Sequence, residues 1–327
     1  MSLTPHDLVG HEDAWREWHA AMGSARMHHA WILAGNKGLG KGLFARAAAA
    51  ALVAEPGVAQ PPIDHHPDIL IPEHPPESKE EGKKREDGKE FRRKRSIPIA
   101  EIRAMQQRLV TRPTLGRRRA VILDPADDLE TNAVNALLKS LEEPPEGTYF
   151  LLVAHRIGRL LPTIRSRCRV LRFAPLSDDA VDAVLRAEAP HADAATRGAA
   201  VRAAEGSPGA ALDFLGQDLG ALHGLMQAIL HQGDGDLVLR GQLAAEIGAR
   251  PDRERMVATL DLARATIAAE LPQGGRERQL RLIDAHGGLV RLAGQAPTYN
   301  FDPGVLAMEI GGLLASAAVP REASKQP

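Results

Sequence analysis

Short apolar runs alternate with amphipathic stretches through the first half of the chain, and the second half is helical in pattern almost throughout. Trp15, Trp18 and Met22 recur at helical spacing and predict an amphipathic helix over residues 11–22. Ala30-Trp31-Ile32-Leu33-Ala34 has the length and continuity of a strand buried on both faces. The glycine-rich stretch Gly35-Asn36-Lys37-Gly38-Leu39-Gly40-Lys41-Gly42 follows it and leads into an Ala-rich helix over 43–53. A short strand is expected within 67–72, a helix over about 100–110, and a buried strand at Arg118–Asp124. Over Thr131–Glu142, Ala133, Val134, Leu137, Leu138 and Leu141 make one helical face, and Pro144-Pro145 ends that helix. Tyr149–Ala154 and Val170–Phe173 are the remaining strand-like runs. Strands alternating with helices predict an α/β fold with a doubly wound parallel sheet.

Beyond Pro175 the strand signals stop. Ser177 can cap a helix whose positive end Asp178 and Asp179 favour, and a second helix is expected over 194–204, ending at Glu205-Gly206-Ser207-Pro208-Gly209. The pattern predicts a small helical domain over 176–215 and an all-α domain over 216–327, with a disordered tail after 319. Within the first domain (1–175), Lys79–Arg95 holds nine Lys/Arg, five Asp/Glu and almost nothing apolar, so a flexible charged loop is expected there.

Composition changes this picture little. With 327 residues, 44% of them hydrophobic and only 3% aromatic, the core must be built from Ala, Leu, Val and Ile, which favours helices. A net charge of -1 supplies no global field to attract nucleic acid. The single Cys168 excludes a disulfide framework and a cysteine-built zinc site. Neither a signal peptide nor a membrane-spanning run is evident, so a cytoplasmic protein with no membrane partner is expected.

The candidate chemistry lies at the ends of the strands. Strand, glycine loop and helix in that order are the context of a phosphate-binding loop, whose backbone N–H groups face phosphates while a lysine neutralises their charge. The pattern G-x-x-x-x-G-K-[ST] is met by Gly35, Gly40 and Lys41, with Gly38 between them, and fails at Gly42, where a hydroxyl that holds Mg²⁺ is required. The strand ending at Asp124 resembles a Walker B strand, but Pro125 stands where a hydrolysing enzyme needs a glutamate, and Asp127 and Asp128 lie too far along to replace it. The plainer readings are a glycine-rich turn with a chance lysine, and an Asp-Pro pair that merely opens a turn. His28, His29, His65 and His66 lack partners at ligand spacing, so no metal site is expected.

Three segments together are specific: Leu123–Asp127, Asn132–Pro145 with its Ser140-Leu141-Glu142-Glu143-Pro144-Pro145 end, and Leu160–Cys168 with Ser166-Arg167-Cys168. They resemble the clamp-loader branch of the AAA+ superfamily, and within it the delta-prime family of bacterial DNA polymerase III. The resemblance runs over about residues 8–175 and is thin beyond. It implies an AAA+ P-loop domain, a helical lid and a helical collar. It also implies partnership with gamma/tau and delta subunits in a ring that opens a sliding clamp and loads it on primed DNA. Arg167 would be an arginine finger acting in trans on a neighbour's ATP, a role suited to an always-charged guanidinium.

Gly35, Gly38, Gly40, Lys41 and Asp124 would form a degenerate nucleotide site that requires no cofactor, with residual ATP or ADP binding left open. Gly209 stands where hydrolysing relatives carry a sensor arginine, and the zinc module common in the family is replaced by 79–95, so no zinc is expected. Against this reading stand a solvated basic face at Arg165, Arg167 and Arg169, an ATP-hydrolysing subunit of gamma/tau type, and a nucleic-acid binder working through 79–95.

Overall fold

The computed structural model describes residues 9–24, 26–273, 275–295 and 302–318. The N-terminal residues and the tail expected to be disordered after 319 lie outside them. The chain divides into two compact units, Met1–Pro175 and Leu176–Pro327.

The first unit is built on five parallel strands in the order β2-β3-β4-β1-β5. They are β1 (Ala30–Ala34), β2 (Ile69–Leu70), β3 (Arg119–Leu123), β4 (Thr148–Ala154) and β5 (Arg169–Arg172). The helices are α1 (Glu12–Met22), α2 (Lys41–Val53), α3 (Lys79–Glu86), α4 (Ile99–Leu109), α5 (Thr131–Glu142) and α6 (Pro162–Arg165). Alternate strand residues serve opposite faces of the sheet. Trp31, Leu33, Ile122, Leu151 and Val153 pack with α1 and α2, whereas Ala30, Ile32, Val121, Leu123, Phe150 and Leu152 pack with α4, α5 and α6. Burial on both faces is why these strands read as unbroken apolar runs. The two edges are blunted, β2 by its two-residue length and β5 by exposed Arg169 and Arg172.

Within 79–95, where composition predicts a charged loop, the first eight residues form the helix α3. Ser78 Oγ accepts the Glu81 N–H and caps α3, with Glu80 and Glu81 in the first turn and Lys83, Lys84 and Arg85 in the last. Eight residues with no buried face cannot hold a helix alone. Tertiary contacts complete it: Glu77 N–H donates to the Arg92 carbonyl (2.9 Å), Lys94 N–H to that of Pro75 (2.7 Å), and Arg92 N–H to Glu81 Oε2 (2.6 Å). Phe91 lies beneath the guanidiniums of Arg85 and Arg93, 5.8 and 5.1 Å from its ring centre. Glu73 pairs with Arg93 at 2.8 Å. Ion pairs and backbone bonds, rather than apolar burial, order the segment.

The second unit is all-helical, with α7 (Asp178–Glu188), α8 (Ala194–Ala204), α9 (Pro208–Gly216), α10 (Gly220–Gln232), α11 (Val238–Ile247), α12 (Arg253–Glu270), α13 (Arg276–Gln295) and α14 (Pro303–Ser316). Ser177, Ser207, Asp252 and Asp302 cap four of these with side-chain acceptors. Helices on both sides of residue 216 line one hydrophobic cluster, from Val181 and Phe214 to Ile229, Leu289 and Ile310.

Candidate nucleotide site and arginine finger

Three adjacent strands, β3, β4 and β1, bring their C-terminal ends together, the position where open α/β sheets place ligands. The loop after β1 approaches the chain closely at Gly35, where a Cβ would meet the Phe173 carbonyl, and takes positive φ at Gly38 (83°) and Gly40 (76°). The ends of β1, β3 and β4 and the first turns of α2 border a cavity of about 290 Å³ lined by Gly38, Gly40, Lys41, Gly42, Arg46, Asp124 and His155. The structure thus brings Gly38, Gly40, Lys41 and Asp124 to one place, with Gly35 at the root of the loop.

Two cations that line this cavity are already engaged by the protein itself. Lys41, 2% exposed, donates to the Asn36 carbonyl at 2.6 Å within its own loop. Burial pushes its ammonium down to about 8, opposed by the negative charges of Asp124 and Asp127. Burial raises the Asp124 carboxyl, and Lys41 pulls it back. Arg46 pairs with Asp64 at 2.6 Å. Asp127 Oδ2 accepts the His155 and Arg156 N–H groups at 2.7 and 2.8 Å and so fastens the loop after β4. Asp128 holds His74 at 3.2 Å.

Gly42 and Asp124 meet directly. A Cβ on Gly42 would overlap Asp124 Oδ2 and lie 3.3 Å from its Cγ. The carboxylate fills the space that the β-carbon of a serine or threonine would need. Glycine N–H groups and a lysine fit a phosphate, while Gly42 offers no hydroxyl for Mg²⁺ beside the Asp124 carboxylate, and Pro125 offers no carboxylate to orient water.

His155, at the end of β4, is a site residue that the sequence reading passed over. Its Nδ1 is buried without a hydrogen-bond partner among the described residues. Burial, reinforced by Lys41 and Lys37, pushes the imidazole down to about 4, so it stays neutral at pH 7. The signal was its place as the first polar residue after a buried parallel strand next to the loop strand.

Arg167 follows α6, remote in sequence from the loop. Its Nη1 donates to the Thr163 carbonyl at 2.8 Å, and its Nη2 pairs with Glu142 Oε1 at 2.6 Å. Its side chain is 35% exposed. Arg169 is engaged otherwise, with Glu17 at 2.8 Å and over the Trp31 ring at 5.0 Å. Burial pushes the Cys168 thiol up to about 12, which leaves it protonated and unreactive. Gly209 sits in the first turn of α9 behind the Ser207 cap.

His66 faces Gln60 and accepts the Asp68 N–H, bonds that account for both ring nitrogens. A larger cavity of about 460 Å³ beside β2 is bordered by Asp64, Glu73, Arg85 and Arg108. Those groups already hold Arg46, Arg93, Glu73 and the Pro67 carbonyl respectively, so it offers no comparable set of converging groups.

A sequence profile described as DNA polymerase III, delta subunit, matches residues 10–177, just over half of the chain. The chain belongs to that family. Its relatives include the DNA polymerase III subunit delta' of Pseudomonas aeruginosa, 35% identical over 49% of this chain and 47% of that protein. The subunit delta' of Escherichia coli is 37% identical over 42% of this chain and 41% of its own length. The Escherichia coli subunit tau is 27% identical over 88% of this chain and 43% of its own. The aligned part thus spans less than half of each of these relatives. The family is of delta-prime type. No described helix is long and apolar enough to cross a membrane.

Proposed function

We propose that this chain is a non-hydrolysing subunit of a DNA polymerase III clamp loader. It supplies Arg167 in trans to the ATP site of a neighbouring gamma/tau-type subunit, and the assembly, with a delta subunit, opens a sliding clamp and loads it on primed DNA. The observation that carries this reading is the Asp124 carboxylate against Gly42. It takes the place of the metal-binding hydroxyl in the chain's own site, while Pro125 removes the residue that would orient water. Arg167, by contrast, reaches the surface, its side chain 35% exposed. Its guanidinium can stabilise the charge of a transferring phosphoryl group, an effect on the order of 10³–10⁵ in rate where such fingers act in trans.

Turnover of ATP by the isolated full-length chain with Mg²⁺ tests the first half of the proposal. The reading expects no hydrolysis above background and no change in Lys41→Ala. Turnover that Lys41→Ala abolishes would instead identify an ATP-hydrolysing subunit of gamma/tau type.

A further inference from the structure

Arg167 is not a free side chain, and what holds it is itself held. Glu142 ends α5, whose apolar face is buried against the sheet and whose Leu141 carbonyl is bonded by His29 Nε2 at 2.8 Å from the start of β1. That bond fixes the helix end, and Glu142 Oε1 takes Arg167 Nη2 at 2.6 Å from it. The other arm of the fork, Nη1, is taken by the Thr163 carbonyl at 2.8 Å and, more loosely, by Ser166 Oγ at 3.4 Å. Acceptors on both terminal nitrogens fix the plane of the guanidinium. Two of its five N–H groups remain outside these three contacts, the number that bidentate recognition of a phosphate uses.

Stability does not account for the pair. Glu142 is 48% exposed and Arg167 35%, and an ion pair in that setting contributes little to stability. Orientation does account for it. An arginine side chain has many rotamers to lose, and a finger must meet the transferring group in one geometry.

We propose that Glu142 is a positioning residue, which holds the Arg167 guanidinium in the orientation that reaches a neighbouring subunit's nucleotide. This rests on the finger reading above. The carboxylate acts as a fixed acceptor, not as a base, and touches no reacting atom.

The test uses the full chain reconstituted with gamma-type and delta subunits, clamp and primed DNA, with steady-state ATPase as readout. Arg167→Ala defines the part of the stimulated rate that depends on the finger. Glu142→Ala lowers that part about tenfold, the factor set by one orienting contact of about 1.4 kcal/mol. Glu142→Gln, which keeps an Oε1 acceptor, restores most of it. In the Arg167→Ala background, Glu142→Ala has no further effect. A normal rate for Glu142→Ala beside a low one for Arg167→Ala overturns the positioning role and leaves the finger standing. Faster turnover in both Glu142 variants overturns it as well, since the pair would then restrain the finger. A Glu142 effect that persists without Arg167 makes the residue merely structural. No effect of Arg167→Ala removes the finger reading itself, and this proposal with it.

Discussion

Replacing Gly42 by alanine should destabilise this chain, against the direction that helix propensity sets. Gly42 is the second residue of α2, where alanine would ordinarily gain up to about 1 kcal/mol over glycine. Here the new Cβ would overlap Asp124 Oδ2 and press on Cγ at 3.3 Å. Asp124 must then turn aside and leave the neighbourhood of Lys41, an overpacking cost of about 1–3 kcal/mol. The net expectation is a loss of about 0–2.5 kcal/mol, a fall of roughly 0–10 °C in melting temperature for a unit of this size. In an Asp124→Ala background the obstacle is gone, and the same substitution should stabilise by about 0.5–1 kcal/mol. Urea denaturation of the four proteins in this cycle gives the coupling directly. A value of about 1–3 kcal/mol is expected; one below about 0.5 kcal/mol, the range of independent sites, would show that the carboxylate does not occupy that space.

Two further outcomes follow from the buried charges. The His155 imidazole stands at about 4 in the folded chain against an ordinary 6.5, so between those values the unfolded chain binds more protons. Stability therefore falls as pH drops through that window, and the difference between wild type and His155→Gln should shift against wild type from pH 7 to pH 5 by on the order of 1 kcal/mol, allowing for partial exposure; an unchanged difference in denaturation midpoints would refute the assignment. Asp68, 1% exposed, lies 3.6 Å from the buried Arg119 and accepts the Thr114 and Leu115 N–H groups at 2.6 and 2.7 Å. Asp68→Ala should cost about 3–5 kcal/mol in urea denaturation by leaving that arginine uncompensated, and a loss under 1 kcal/mol would mean that the three carbonyls Arg119 also meets suffice.

What the sequence made legible is what depends on local pattern. Runs such as Ala30–Ala34 and Tyr149–Ala154 announce strands because burial on both faces leaves no polar positions, and the phosphate loop shows because its glycines are adjacent. The helix at the start of 79–95 is not legible in composition, which reports apolar burial, because a serine cap, backbone bonds and ion pairs hold it. The contact between Gly42 and Asp124 was invisible because parallel topology, not chain proximity, lays the end of β3 beside the start of α2. Each defect could be seen alone, but not that one fills the space left by the other. Likewise Glu142 and Arg167 lie on separate motifs, and only the fold joins them.

The central claim, a finger retained for a neighbour by a chain with a disabled site of its own, is tested most directly by Arg167→Ala. The variant should fold with an unchanged melting temperature, because the pair it breaks is exposed. In the reconstituted loader with clamp and primed DNA, it should remove the ATP turnover that this subunit stimulates at its neighbour's site. Stimulated turnover equal to wild type, from a loader that assembles normally, would contradict the account.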